Sequence, residues 1–456
     1  MTHPTDSSDK SLLRLSIPML LNSALGLVTA LLDAIVIGRY AKDAAAAVSI
    51  ANQILAVVYD FSLLLGVGAV VLVTHALGRG DRQEARETAL AALAANTVLG
   101  LALGLLLWLC APALVDALGT PAALQADATR YVTVIAWAMP FNAFLMAGMA
   151  CLRGFALMRT ILLLGLVAFP SYAVLNAVLV LGFGPVPALG VAGSALATLA
   201  VRVASALVLG VVLARMLGLS VPLLRQAAAS GARRVRRMAA LASPSVLDNV
   251  SYGFYQLLLV SFIAGLGVTA VVGRFYTLAL TAFLAVVVMA ISQANEVLVG
   301  YEAGAGRVAH LRRRAWRSGA ASALLATVLA LAMWAAAQPL ASLFSSDPEV
   351  HREVRALLLL TIFIQPLTGL NTVLFHSLRV TGDVLAPVVF SQFVMWGLAA
   401  PLAWLLCVEF AMGVPGLWYA FIVEELFKTA YMAWRWQRAA GPALAAAPPV
   451  PVAAVS

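Results

Sequence analysis

The sequence predicts an all-α polytopic membrane protein, with twelve transmembrane helices in two pseudo-symmetric six-helix bundles. Three observations lead there. Bilayer-length apolar runs recur along the whole chain, basic residues gather in every second connection, and several prolines and glycines return at one constant spacing. Of the 456 residues, 63% are hydrophobic and only 11% charged, and the mean hydropathy is +0.97. Soluble domains carry about a quarter of their residues as charges. The charges here cannot cover a water-soluble body of this size, which excludes a cytosolic enzyme and a largely disordered chain.

A hydrocarbon core about 30 Å thick takes about 20 apolar residues of helix per crossing. Twelve stretches meet that length: 14–38, 45–73, 88–112, 128–152, 160–182, 190–214, 242–265, 270–299, 318–343, 354–377, 384–408 and 413–434. Helix satisfies its own backbone in lipid, and the alternating ten-residue segments of a barrel are absent. With the N-terminus inside, 21 of the 29 Lys and Arg fall in cytoplasmic segments and six on the far side; Arg202 and Lys428 lie within spans. That bias places both termini in the cytoplasm. The same rule accounts for the net charge of +9, so lipid is the expected partner and nucleic acid is not. Cys110, Cys151 and Cys407 lie far apart, without disulfide or metal spacing. The polar start MTHPTDSSDK has no features of a cleavable signal.

The repeat is read at an offset of 226 residues, which pairs Pro18 with Pro244, Gly78 and Gly80 with Gly304 and Gly306, Pro140 with Pro366, and Arg153 with Arg379. A slightly shorter offset pairs Gly190 with Gly413. Six helices per copy is an even number, so both copies share one orientation, as in parallel-repeat transporters. The expected organisation is a tail over 1–13, an N-lobe over 14–216, a cytoplasmic linker over 217–240, a C-lobe over 241–436 and an Ala/Pro-rich disordered tail over 437–456.

Ionisable groups inside a span are costly and their default reading is functional. Asp33, in LVTALLDAIVIG of span 1, is the clearest case, with no cation one helical turn away. A carboxyl removed from water loses solvation when ionised, so it can trade a proton or, with further oxygen ligands, hold a sodium ion. Tyr172 and Asn176 in span 5 and Thr198 in span 6 are polar groups of the kind that join helices. Asp60 in span 2 is a second buried acid. The second half differs, because Leu259 stands at the repeat position of Asp33. Its polar residues are Asp248 and Tyr252 in span 7, Glu296 in span 8, Asn371 and His376 in span 10, and Glu424, Glu425 and Lys428 in span 12. Glu424 and Lys428 are spaced for an ion pair along one helix.

No phosphate loop, HExxH, CxxC or GxSxG is present, so no enzymatic activity is expected. The chain resembles the multidrug and toxic compound extrusion (MATE) family. The resemblance rests on SIPMLLNSALGLVTALLDAIVIGRY, GVGAVVLVTHALGRGDRQEA, LRGFALMRT, LNAVLVLGFGPVPALGVAGSALAT, VLVGYEAGAGR and SLRVTGD, in order over nearly the whole length. It implies two six-helix bundles around a central cleft, and export of organic, often cationic and amphipathic, compounds in exchange for H+ or Na+. It also implies that Asp33 is the cation-coupling acid, with Asn176 and Thr198 beside it. A family amide position falls on Tyr172, which leaves that set incomplete and weakens a sodium assignment. In the C-lobe, acids used by some relatives are replaced by Tyr252 and by Thr368 or Asn371, so a second coupling or substrate site would draw on Asp248, Tyr252, Glu296 and Asn371.

The expected function is therefore a secondary antiporter of the cytoplasmic (inner) membrane, multi-pass and monomeric. It needs no cofactor beyond a coupling ion, H+ or Na+, and any sodium would sit at Asp33. Two other readings stay open. A lipid-linked saccharide flippase would want a basic cavity, which the spans supply only with Arg202 and Lys428. A non-transporting membrane scaffold would leave the buried acids and the repeat without a purpose.

Overall fold

The computed structural model describes residues 11–439. The tail expected over 437–456 lies outside the described residues from 440 onward, and 437–439 still belong to the last helix. In chain order the helices are α1 (Leu12–Tyr40), α2 (Lys42–Ser62), α3 (Leu64–Gly78), α4 (Arg82–Ala117), α5 (Ala122–Gly154), α6 (Met158–Leu181) and α7 (Val191–Leu217). They continue with α8 (Val221–Ala264), α9 (Val268–Gly304), α10 (Val308–Ala335), α11 (Ala337–Ser342), α12 (Pro348–Val380), α13 (Leu385–Glu409) and α14 (Val414–Ala439). Among the described residues, extended structure is limited to one bridge between Phe183 and Val186.

Eleven of these spans are long and apolar enough to cross a membrane, counting α2 and α3 as one. The twelfth, α14, is 26 residues long and carries Glu424, Glu425 and Lys428 in its middle. Two details depart from the apolar pattern. The predicted second span is broken at Leu63, between α2 and α3. After a short turn that ends α7, the segment from Val221 onward is helical and runs without interruption into the seventh span, making α8 a single helix of 44 residues. Helix starts follow local chemistry: Asp81 Oδ1 accepts from Glu84 N at 2.8 Å, and Asp347 Oδ1 accepts from Glu349 N at 2.8 Å behind Pro348.

The chain divides into two compact units, Leu21–Val246 and a second that joins residues from Leu247 onward with the chain up to Leu20. The core of the first unit sets Leu107, Ala111 and Val115 of α4 against Tyr131, Val132, Ile135 and Met139 of α5, with Ala47, Ala51 and Leu55 of α2 alongside. Small residues govern the α4–α5 seam, since lipid offers no hydrophobic drive to hold helices together. A Cβ on Gly100 would lie 2.6 Å from Ala143 Cβ, and one on Gly104 would lie 2.6 Å from Ala136 O. One turn earlier, the fully buried Asn96 donates from Nδ2 to Ser62 O at 2.9 Å and to Ala143 O at 2.6 Å. Asn96 thus ties α5 to the end of α2, where the break at Leu63 has disturbed the backbone ladder.

The second unit packs Tyr255, Leu259 and Ile263 of α8 against Met395, Ala399, Ala403 and Cys407 of α13 and Leu417, Trp418 and Ala420 of α14. Trp418 Nε1 donates to Thr361 Oγ1 of α12 at 2.9 Å. Two stretches of α13, Phe393–Ala399 and Leu405–Glu409, are wound as wide π-turns on either side of Pro401. Proline donates no backbone hydrogen bond, and local widening accommodates that loss.

The repeat is visible in the backbone. Gly80 and Gly306, which end α3 and α9 in the paired turns, have φ of +83° and +69°. After α5 and α12 the left-handed position falls on Ala156 (φ +58°) and on Gly382 (φ +90°), again 226 residues apart. One copy places glycine where the turn needs it and the other strains an alanine. A left-handed non-glycine residue costs about 1–2 kcal/mol. Ala156→Gly is therefore expected to raise the melting temperature in detergent, by about 1 kcal/mol of stability after the added chain entropy of glycine. Gly100→Leu is expected to abolish the monodisperse folded peak in size-exclusion chromatography, because the α4–α5 seam has no room for it.

Candidate functional site

Asp33 lies three-quarters of the way along α1 and is half-buried. Its Oδ1 accepts three hydrogen bonds from two other helices: Tyr172 Oη at 2.9 Å, Asn176 Nδ2 at 2.8 Å and Ser194 Oγ at 3.4 Å. All three donors are neutral, and no basic side chain among the described residues pairs with Asp33. Tyr172 and Asn176 are four residues apart on α6, so they share a face. Asn176 and Ser194 are essentially inaccessible, at 1% and 0% exposure.

Close backbone approach makes this convergence possible. A Cβ on Gly193 would stand 2.4 Å from Leu179 O, so only glycine lets α7 lie this near α6 beside Ser194. At the turn before α7, Gly190 adopts φ +54°, and a Cβ there would fall 2.4 Å from Tyr40 Cε1 at the end of α1. The α1 terminus therefore rests on the α6–α7 connection and holds Asp33 in reach.

Of the residues expected here, Asp33 and Asn176 are in direct contact. Thr198 is one remove away and interacts with the Tyr172 hydroxyl. Tyr172, at the position the resemblance gives to an amide, donates directly to the carboxylate. Two participants were missed. Ser194 precedes Thr198 by one turn on the same face, a spacing that could have flagged it. Tyr131 of α5, 4% exposed, interacts with Ser194 and lies within electrostatic range of Asp33, and nothing local in its sequence marks it. Farther out, Arg202 donates to Asn142 Oδ1 and stands 4.9 Å over the Tyr59 ring, so this intramembrane cation is engaged elsewhere. Asp60, the other acid of the first unit, sits half-buried near the end of α2 without an ion pair among the described residues.

The second unit assembles its polar residues around α14. Tyr255 Oη donates to Glu424 Oε2 at 2.9 Å, and Lys428 Nζ bonds the other oxygen of Glu424. Asn371 Nδ2 donates to Glu425 Oε2 at 3.2 Å. Asp248 accepts from Gln392 Nε2 at 2.6 Å and lies within electrostatic range of Glu424 and Lys428. Tyr252 Oη accepts from Gln256 Nε2 at 2.5 Å, and Gln256 in turn accepts from Arg274 at 2.6 Å. Asp248, Tyr252 and Asn371 thus belong to one neighbourhood. Glu296 does not: its Oε1 accepts from Arg379 at 2.9 and 3.2 Å, with His376 Nδ1 3.5 Å from Oε2. It is held in a buried ion pair on α9 and α12.

The arrangement is that of a membrane carrier: polytopic helices in two related units, with an acid held by neutral donors inside one of them. The MatE family model matches the chain twice, over residues 18–179 and 244–405, the same 226-residue displacement that the prolines and glycines mark. The chain belongs to the MatE family and is a membrane transporter, not an enzyme. It is 26% identical over 427 residues to an uncharacterised transporter, YisQ, of Bacillus subtilis, covering 94% of each chain. It is 23% identical to a probable multidrug resistance protein, NorM, of Thermotoga maritima, again over 94% of each chain. Among solved structures, an outward-facing multidrug resistance MATE transporter superposes with a TM-score of 0.85 at 18% identity, over 96% of this chain and 97% of that one. A point mutant of the Vibrio cholerae MATE transporter VcmN gives 0.85 at 20% identity, over 94% of this chain and 96% of that one. These structural likenesses establish the fold.

The Glu296–Arg379 pair makes a clear prediction. Removing one member of a buried ion pair strands the other charge, at about 3–5 kcal/mol. Arg379→Ala should sharply lower the detergent melting temperature, and Glu296→Gln with Arg379→Gln should recover much of the loss.

Proposed function

We propose that the chain is a proton-coupled antiporter that exports organic compounds, mainly cationic and amphipathic ones, across the cytoplasmic membrane by alternating access. Its two six-helix lobes are assigned to 14–216 and 241–436, with 217–240 as the linker, both termini cytoplasmic and a single chain as the working unit. The substrate class draws on the printed character of relatives such as NorM of Thermotoga maritima, a probable multidrug resistance protein. The observation that carries the mechanism is the surroundings of Asp33: one carboxylate oxygen, three neutral donors and no fixed cation.

An ionised Asp33 satisfies Tyr172, Asn176 and Ser194 together. Once protonated, the carboxyl becomes a donor itself and accepts more weakly, so its hold on these three groups loosens. The contact of α1 with α6 and α7 therefore has two arrangements, selected by one proton. Such an element can bias a carrier between access states, by as much as the proton's differential affinity for the two. A sodium ion would instead need oxygen lone pairs turned toward Asp33, as hard cations do. In the present geometry Asn176 offers Asp33 its amide nitrogen. Asn176 and Thr198 are thus assigned to support of the carboxylate, Asn176 directly and Thr198 through Tyr172.

The test is uptake of a fluorescent amphipathic cation into proteoliposomes driven by an acidic interior, compared with an imposed Na+ gradient. Wild type is expected to respond to the pH gradient and not to sodium. Asp33→Asn should fall to the level of empty vesicles. Tyr172→Phe should keep coupling but slow it roughly tenfold, the kinetic equivalent of about 1.4 kcal/mol. Sodium-driven uptake at neutral pH would reject the proton assignment.

A further inference from the structure

The amino-terminal part of α10 carries His310, Arg313, Arg314 and Arg317 at spacings of three and four residues, which sets them on one helix face. With Leu12 and Ser318 they line a cavity of about 560 Å³. Arg314 stands 3.6 Å from Glu302. Arg313 and Arg317 are exposed and have no acidic partner among the described residues. The cavity therefore presents two uncommitted guanidinium groups, whose planar forks match phosphate oxygens in pairs.

The same face of α10 continues as an apolar stripe. Leu324, Val328 and Leu331 follow Arg317 at helical spacing and are 68%, 52% and 45% exposed. The opposite face, with Ala315, Gly319, Ser322, Ala326 and Ala330, is buried. One side of one helix thus offers cations at its end and bare hydrocarbon along its length, the distribution of chemistry in a phospholipid. The repeat supplies a control. At the positions of His310, Arg313, Arg314 and Arg317, the first copy has Glu84, Glu87, Thr88 and Ala91, and the arginines of that helix, Arg82 and Arg86, fall on the opposite face. A general bias of basic residues toward one side of the membrane acts on both copies and does not select this face.

We propose that this face of α10 is a binding site for an anionic phospholipid, with the phosphate held between Arg313 and Arg317 and an acyl chain along Leu324 and Val328. Basic pockets at the ends of membrane helices recognise such headgroups. The site is independent of Asp33 and of the proposed antiport.

The experiment is native mass spectrometry of the purified full chain in detergent, titrated with phosphatidylglycerol, phosphatidylcholine or inorganic phosphate. Phosphatidylglycerol is expected to be retained about tenfold more tightly than phosphatidylcholine, a difference of about 1.4 kcal/mol. Arg313→Gln with Arg317→Gln should remove that preference. Arg236→Gln with Arg237→Gln, at exposed basic positions of α8, should keep it. Equal loss in both double variants would reduce the effect to diffuse charge and overturn the proposal. Displacement of the lipid by inorganic phosphate at matching concentration would also overturn it, assigning the cavity to a free anion. On the unaltered chain, the preference should shrink in about 1 M salt, where the Debye length is about 3 Å; an unchanged preference would count against the arginines.

Discussion

A charge buried at membrane depth is tolerated only where something answers it, and the partner decides what the charge can do. Three of the intramembrane acids show two kinds of answer. Glu296 faces Arg379, and Glu424 faces Lys428, so each of those acids has a permanent cation beside it. Such pairs hold helices together. Asp33 is answered by three neutral hydrogen-bond donors instead. Neutral donors ease the desolvation of a carboxylate without cancelling its charge. The contrast comes from the same residue chemistry placed beside different neighbours.

The duplicated fold makes that difference easier to interpret. Both copies keep the left-handed turns after paired helices, and the family model fits each copy in turn. Yet the position of Asp33 is occupied in the second copy by Leu259, a fully buried core residue. One backbone plan has therefore been filled with a polar site in one unit and with hydrocarbon in the other. The polar groups of the second unit have gathered on α14, around Glu424, Glu425 and Lys428, where the first unit has Ser194 and Thr198 on its own last helix. Symmetry in the chain path has not imposed symmetry of chemistry.

The spans, the repeat and the place of Asp33 inside an apolar run were legible in the sequence, through apolar length, one constant spacing and a single acid among hydrocarbon side chains. Asn176 was legible through family resemblance. Ser194 and Tyr131 were not, because serine and tyrosine in a span are ordinary and their importance arises only when α5, α6 and α7 bring them beside Asp33. The break at Leu63 was hidden for a related reason. The stretch 45–73 is uniformly apolar, and the interruption is supported from outside it, by Asn96 on the next helix accommodating Ser62 O. The repeat pairing of Arg153 with Arg379 was visible, but the acid that Arg379 meets lies 83 residues away and no spacing rule reaches it.

The last span shows why reading helices singly falls short. On an insertion scale a central charged residue costs about 2.5–3.5 kcal/mol, while a leucine or isoleucine returns about 0.5. Glu424, Glu425 and Lys428 together would outweigh most of the apolar side chains of α14 if the helix entered lipid alone. Within its unit the account changes. Glu424 and Lys428 neutralise each other and are 4% and 9% exposed, Tyr255 supplies a further hydrogen bond, and Asn371 meets Glu425. Each of these compensations except the lysine comes from α8 or α12. The twelfth span is therefore stable in the membrane as a member of its bundle, and its charges function as the joint by which α8 and α12 are fastened to it.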